Sequence, residues 1–215
     1  MRYVFTLVIV VLIFTSATYQ QSHAQFLPPT MQYLVNNGAQ GTEFWIAIPP
    51  NELPSYPTGS LEVYITSAYD TEVEVFDAAT GRTYDRKITA GEIRTLSDKQ
   101  GETDWAWEIR TYEEAVKQGI RLTADKPITV SVINSKTTTS DGYLALPVST
   151  WNTNYIVTTY YDFREFNAWA GGFVVIAREP SLVTINLRGA GGAKATTSGG
   201  KSLGDHFTVA LDAGD

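Results

Sequence analysis

The sequence predicts an all-β, sandwich-like protein made of two related antiparallel β units with little helix. Apolar residues alternate with polar ones over many short stretches, and turn residues separate those stretches at close spacing. No segment is long enough to be the crossover helix of a parallel sheet. We therefore expect a first β unit over residues 42–150 and a second over residues 151–215, joined mainly by hairpins.

The predicted strands share alternating apolar positions and flanking turn residues. They cover residues 44–48, 61–67, 72–76, 83–89, 92–96, 107–110, 119–123, 128–133, 143–146, 155–160, 173–177, 182–187 and 206–211. Residues 124–127 (ADKP) are expected to form a turn between two of these strands. One short helix is expected at residues 112–118, stopped by Gly119.

The first 24 residues have the pattern of a secretory signal peptide. Arg2 supplies a positive charge, residues 4–14 are almost wholly apolar, and Ser22 and Ala24 are small residues before a cut at Gln25. The alternative is an uncleaved membrane anchor, for which the apolar run is short. Cleavage after Ala24 would leave an N-terminal segment, residues 25–41, and a protein secreted or held at the cell surface.

The composition excludes several classes of function. The chain has 16 basic and 23 acidic residues, with no strongly basic stretch, which argues against nucleic acid as a partner. It has no cysteine, and after signal cleavage His206 is its one histidine, so thiol catalysis and most zinc sites are excluded. We expect no metal and no cofactor. An extracellular chain without cysteine favours a bacterial source.

Two parts of the sequence are similar to one another. Residues 61–75 resemble residues 173–187 when one gap is allowed, and residues 88–92 resemble residues 211–215. A strand follows the first copy, so the second is expected to lack its last strand and to leave an exposed edge near residues 206–211. The chain is then a fragment of a longer protein. The alternative is chance, because alternating strands resemble one another.

Several stretches resemble the IgGFc-binding protein N-terminal domain family in order and spacing. They are GTEFWIAIP, LEVYITSAYDTEVEV, GIRLTADKPITV, Asn134, DGYLALPVSTW and YIVTTY, between residues 41 and 160, and the resemblance extends over 41–215. It implies a secreted or cell-surface β-rich module of a multi-domain protein. The family takes its name from an animal member that binds immunoglobulin Fc. The family's motifs carry no catalytic residue, and no ligand contact can be transferred to this chain.

Clustered aromatic residues are the candidate ligand-binding site. Clustered Trp and Tyr side chains can stack on sugar rings or anchor a protein partner, and the alternative is ordinary packing in the core. The candidate residues are Trp105, Trp107, Tyr160, Tyr161, Phe163 and Trp169.

Other residues give weaker signals. Glu102, Asp104, Glu108, Glu113 and Glu114 could in principle hold calcium or hydrolyse a glycosidic bond, but a solvated acidic face fits their irregular spacing better. Ser202, Asp205 and His206 are too close in sequence to form a catalytic triad, and His206 is expected to begin a strand. The glycine-rich residues 189–204 are expected to form a loop.

The sequence therefore predicts a non-catalytic extracellular or cell-surface module for binding or adhesion, not an enzyme. Its expected partner is an extracellular protein or a glycan, with no nucleic acid and no membrane insertion after signal cleavage. Two alternatives remain open. One is a carbohydrate-binding module that uses exposed aromatic residues, and the other is a structural repeat of a surface stalk.

Overall fold

The computed structural model describes residues 38–51, 59–97, 107–136, 139–158, 172–188, 197 and 199–215. These residues form nine strands in two antiparallel sheets. The strands are β1 (Gly41–Ile46), β2 (Gly59–Ser67), β3 (Thr71–Asp77), β4 (Arg82–Ile88), β5 (Ile93–Ser97), β6 (Ile120–Lys136), β7 (Ser140–Leu144), β8 (Ser181–Asn186) and β9 (His206–Leu211). The protein is all-β and sandwich-like, as the sequence predicts.

The large sheet contains seven strands, and β6 organises it. Its order is β4-β3-β6-β2-β5, with β1 and β7 also paired to β6. Residues 120–124 of β6 pair with β3 and β1, whereas residues 128–136 pair with β2 and β7. One long strand therefore belongs to both halves of a curled sheet.

The predicted turn at residues 124–127 is wrong, because β6 runs through it as one strand. The register of β1 on β6 shifts at this point, and residues 125–127 are exposed. Pro127 takes part in none of the strand pairs of β6, so its missing N–H leaves no ladder bond unmade. In this irregular stretch the pairing partner of β6 changes from β3 to β2, and the strand itself does not end.

The core lies between the two halves of the large sheet. Alternate residues of the strands point inwards, as their period of two requires. The fully buried set includes Phe44, Ile46, Leu61, Val63, Ile65, Val73, Val75, Ile120, Leu122, Ile128 and Val130. Burial of this apolar surface, at about 25 cal/mol per Å², is the main stabilising term of such a sheet.

The second sheet consists of β8 and β9 alone. Its strands pair from Ser181–Leu211 to Asn186–His206, and most of its residues are exposed or half-buried. A two-stranded sheet has little area to bury and is marginal by itself. His206 begins β9 and is exposed, which confirms its predicted place.

The predicted helix at residues 112–118 is wrong. These residues form a series of bends, and Glu113 has a φ of 58°, in the left-handed region that interrupts a helix. The seven residues offer too few backbone hydrogen bonds to repay the cost of starting a helix. The predicted signal peptide 1–24, most of residues 25–41 and residues 52–58 lie outside the described residues.

Three predicted strands are not formed as predicted. Residues 107–110 contribute one isolated bridge, between Glu108 and Ile48, and the described residues 155–158 and 172–177 belong to no assigned strand. The large sheet uses residues 41–144 and the small sheet residues 181–211. The domain boundary after residue 150 stays a prediction.

Candidate functional site

A buried carboxylate, Glu108, lies where three separate parts of the chain meet. Its segment runs beside the residues after β1, with a parallel bridge to Ile48 and a 2.8 Å hydrogen bond from Ile109 N–H to the Ile48 carbonyl. Trp107 and Ile109 are buried on either side of it. The Glu108 side chain itself is 1% exposed, so its charge requires partners within the protein.

Both oxygens of Glu108 are bonded. Oε1 accepts hydrogen bonds from the Asn51 N–H at 2.9 Å and the Asn134 Nδ2 at 3.0 Å. Oε2 lies 2.5 Å from an Arg110 guanidinium nitrogen and 3.4 Å from Lys136 Nζ. We call Asn51, Glu108, Arg110, Asn134 and Lys136 the Glu108 cluster.

The surroundings of Glu108 keep it ionised. Burial alone would raise the pKa of the carboxyl, but the hydrogen bonds from Asn51 and Asn134 and the charges of Arg110 and Lys136 outweigh burial. The net result is a pKa below the ordinary value of a glutamate. A bonded, ionised and inaccessible carboxylate fits a positioning role better than proton transfer to a substrate.

The Glu108 cluster fixes the connection between β6 and β7. Asn51 Nδ2 donates a 2.6 Å hydrogen bond to the Asn134 carbonyl, and Thr139 Oγ1 bonds the Asn51 side-chain oxygen. The Lys136 N–H donates to the Thr139 carbonyl at 2.8 Å. The cluster therefore holds the loop after β1 against the hairpin that leads into β7.

Six exposed large side chains lie in β7 and in the residues that follow it. We call residues 143–157 the apolar segment. Its exposed fractions are 37% for Tyr143, 50% for Leu144, 53% for Leu146, 66% for Tyr155, 96% for Ile156 and 55% for Val157. Large apolar side chains gathered in one segment on a surface are typical of a surface that contacts a partner.

Local hydrogen bonds shape the apolar segment. Trp151 Nε1 donates to the Leu146 carbonyl at 3.1 Å, and the Tyr155 hydroxyl accepts from the Asn152 N–H at 2.7 Å. Tyr143 donates its hydroxyl proton to the Ala47 carbonyl at 2.8 Å, which ties the segment to the residues after β1. The segment is therefore held by polar bonds, while six of its large side chains are exposed and Ala145 and Val148 are buried.

A shallow acidic depression lies on the outer face of the large sheet. Glu72, Glu74, Asp85 and Asp125 line it, and Arg121 pairs with Glu74 at 3.1 Å. Within the described residues, no group of three or more histidine or acidic side chains is arranged to hold a metal ion.

The structure removes one residue from the predicted aromatic site. Trp107 is 2% exposed and belongs to the same hydrophobic core cluster as Ile48. A buried indole cannot stack on a sugar or contact a partner, so the prediction is wrong for Trp107. Trp105, Tyr160, Tyr161, Phe163 and Trp169 lie outside the described residues, and their role stays a prediction.

Sequence reasoning missed the features that the structure brings forward. The sequence predicts that Glu108 and four other acids form a solvated face, although the apolar neighbours Trp107 and Ile109 are a signal of a buried strand position. Asn134 and Lys136 share the inward face of β6, which could have been read from the alternation of that strand. Of the remaining acids, Glu113 and Glu114 are exposed.

No family model, curated protein or solved structure matches this chain. The resemblance to the IgGFc-binding family therefore stays a prediction. Within the part of the chain that the structure describes, no helix combines the length and hydropathy that crossing a bilayer requires.

Proposed function

We propose that this protein is a non-catalytic binding or adhesion module that works outside the cytoplasm. The observation that carries the proposal is the apolar segment, in which Ile156, Tyr155 and Val157 each expose more than half of their surface. The Glu108 cluster and the large sheet supply a rigid support for it. Function of this kind is commonly carried by loops on a stable β scaffold.

The proposed partner is an extracellular protein. Branched aliphatic side chains such as Ile156 and Val157 bury area against an apolar protein surface, whereas sugars are usually bound by flat aromatic rings. The signal-peptide pattern of residues 1–24 supports a location outside the cytoplasm.

The test is binding of the purified protein to a panel of immobilised extracellular proteins, immunoglobulin Fc included, and of glycans. Ile156→Asp should abolish binding to a protein of the panel, because a charge would be buried in the contact. Leu182→Asp is the matched control, since Leu182 is 75% exposed on β8, and it should leave binding unchanged. Both variants should fold normally.

Two results would contradict the proposal. Binding to glycans alone, lost in Trp105→Ala or Trp169→Ala, would make the protein a carbohydrate-binding module. Specific hydrolysis of a panel member that is lost on substitution of one carboxylate would make it an enzyme.

A structural repeat of a surface stalk is the second candidate function. It is favoured by the hairpins β3–β4 and β8–β9, which share one register. On this alternative no panel member binds, and the protein contributes length and stiffness to a larger assembly.

A further inference from the structure

The hairpins β3–β4 and β8–β9 share a strand register. Residues 61–77 align with residues 171–187 without any gap, so that Thr71 corresponds to Ser181. In the first hairpin Thr71 pairs with Ile88, and in the second Ser181 pairs with Leu211. The gap expected from sequence is therefore unnecessary, and the difference in length falls in the hairpin loop.

The turns that follow the hairpins are also alike. The Gly91 N–H donates to the Ser67 carbonyl at 2.9 Å, and the Gly214 N–H donates to the Ala177 carbonyl at the same distance. Both glycines have positive φ, of 77° and 86°. A glycine of positive φ that, together with the residue after it, lies opposite a single residue of the neighbouring segment has the arrangement of a G1 β-bulge.

The next turn bond is repeated as well. Glu92 N–H donates to the Thr89 carbonyl, and Asp215 N–H donates to the Asp212 carbonyl, both at 3.1 Å. Two hairpins can share a register by chance, but the same glycine conformation and the same two turn bonds make common construction the better explanation.

Among the residues that the structure describes, the copies differ in what lies beside their first strand. In the first copy the chain continues from Glu92 into β5, which pairs with β2 from Thr66–Ile93 to Glu62–Ser97. Val63 and Ile65 of β2 are completely buried as members of the hydrophobic core. Their counterparts Phe173 and Val175 are 45% and 38% exposed.

We propose that residues 172–177 form an acceptor edge for one antiparallel strand that continues the polypeptide from Asp215, placed as β5 is placed on β2. The first bond of this ladder exists already, because the Ala177 N–H donates to the Asp215 carbonyl at 3.1 Å. Backbone groups of alternate residues face the same side of a strand, so the N–H groups of Phe173 and Val175 face this edge.

The first copy also indicates the chemistry of the added strand. In β5 the buried Leu96 lies opposite Val63, whereas Arg94 lies opposite Ile65 and is exposed. The added strand should therefore carry an apolar residue opposite Phe173, at its fourth position after Asp215. Its contacts would cover the half-exposed face of the second copy, and the inference does not depend on the proposed binding function.

The test compares the protein ending at Asp215 with two extended forms. One carries the β5 sequence Ile-Arg-Thr-Leu-Ser after Asp215. The matched control carries Ile-Pro-Thr-Pro-Ser, in which proline removes the two N–H donors that face the edge. Amide hydrogen exchange is measured by NMR at Phe173 and Val175. Val174 and Ile176, whose N–H groups face the other edge, serve as internal references.

The β5 extension should slow exchange at Phe173 and Val175 by about tenfold or more, and the proline extension should not. The proposal is overturned if neither extension slows it, or if the free pentapeptide slows it equally in trans. The proposal would also be overturned if exchange at Phe173 and Val175 slowed with rising concentration of the unextended protein. A second copy of the protein would then be the partner that pairs with residues 172–177. A gene whose codon after Asp215 is a stop would overturn the assignment to the same chain.

Discussion

Glu108 Oε2 lies 3.4 Å from Lys136 Nζ, and the two side chains are 1% and 2% exposed. The pair joins the isolated bridge beside Ile48 to the last residue of β6. Removing two charges from water is costly, and hydrogen bonds from Asn51 and Asn134 offset this cost. The burial of these two charges therefore depends on the other members of the Glu108 cluster.

Removal of one member should destabilise the protein strongly. Glu108→Ala leaves Lys136 buried without this carboxylate and leaves the Asn51 N–H without its acceptor, so we expect a loss of about 3–5 kcal/mol in the free energy of unfolding. Urea denaturation measures this loss. Glu114→Ala, at an exposed position, should change the free energy by less than about 0.5 kcal/mol. Equal stability of the two variants would show that the cluster is not a stabilising element.

The stability of the protein should fall in acid partly through Glu108. The folded-state pKa of this group is lowered, so its contribution is fully present above the ordinary glutamate value of about 4.5 and is lost as the pH falls below it. Unfolding free energies measured from pH 7 to pH 3 should fall less steeply in Glu108→Gln. The exposed Glu113 also has a lowered pKa, through its bonds with Thr197 and Gly199, so Glu113→Gln is the necessary control.

The two corresponding glycines should respond differently to alanine. Both have positive φ, which costs an alanine about 1–2 kcal/mol. A Cβ at Gly91 would meet nothing within 4 Å, whereas a Cβ at Gly214 would lie 2.8 Å from the Ala78 Cβ and 3.1 Å from Trp45 Cζ3. Gly214→Ala should therefore destabilise the protein by about 1–3 kcal/mol more than Gly91→Ala. Thermal or urea unfolding of the two variants decides this, and equal losses would contradict the contact with Trp45.

Trp107 should behave as a core residue. Trp107→Ala should lower the free energy of unfolding by about 3–5 kcal/mol, because it removes a large buried side chain. Trp107→Phe should lose less and allow ligand binding to be tested in a folded protein. A protein that loses binding but no stability in Trp107→Ala would restore Trp107 to the ligand site.

The strands that alternate cleanly were predictable from sequence. β3 shows this best, since Val73 and Val75 face inwards and Glu72 and Glu74 face outwards or lie half-buried. The same rule fails at residues 107–110, where backbone pairing is limited to one bridge. It also fails at residues 124–127, where Pro127 suggests a turn but the strand continues. The local alternation of apolar and polar residues predicts which face of a strand a residue occupies. It does not predict how many other strands will pair with that strand.

The site was predicted less well than the fold. The predicted aromatic site rests on residue type and clustering, and one of its six residues, Trp107, is in the core. The Glu108 cluster could not be assembled from sequence, because Asn51, Glu108 and Asn134 lie far apart along the chain. Long-range contacts, among them the bridge between Glu108 and Ile48, bring them together.

The sequence by itself determined the all-β class, the faces of most strands and the echo between residues 61–75 and 173–187. Each of these follows from local alternation and turn chemistry, which a chain carries wherever it folds. The tertiary structure decided that β6 serves both halves of the sheet, that Glu108 is buried among cations and amides, and that Phe173 and Val175 stay partly exposed. These features depend on long-range pairing, in which burial and charge are set by distant segments.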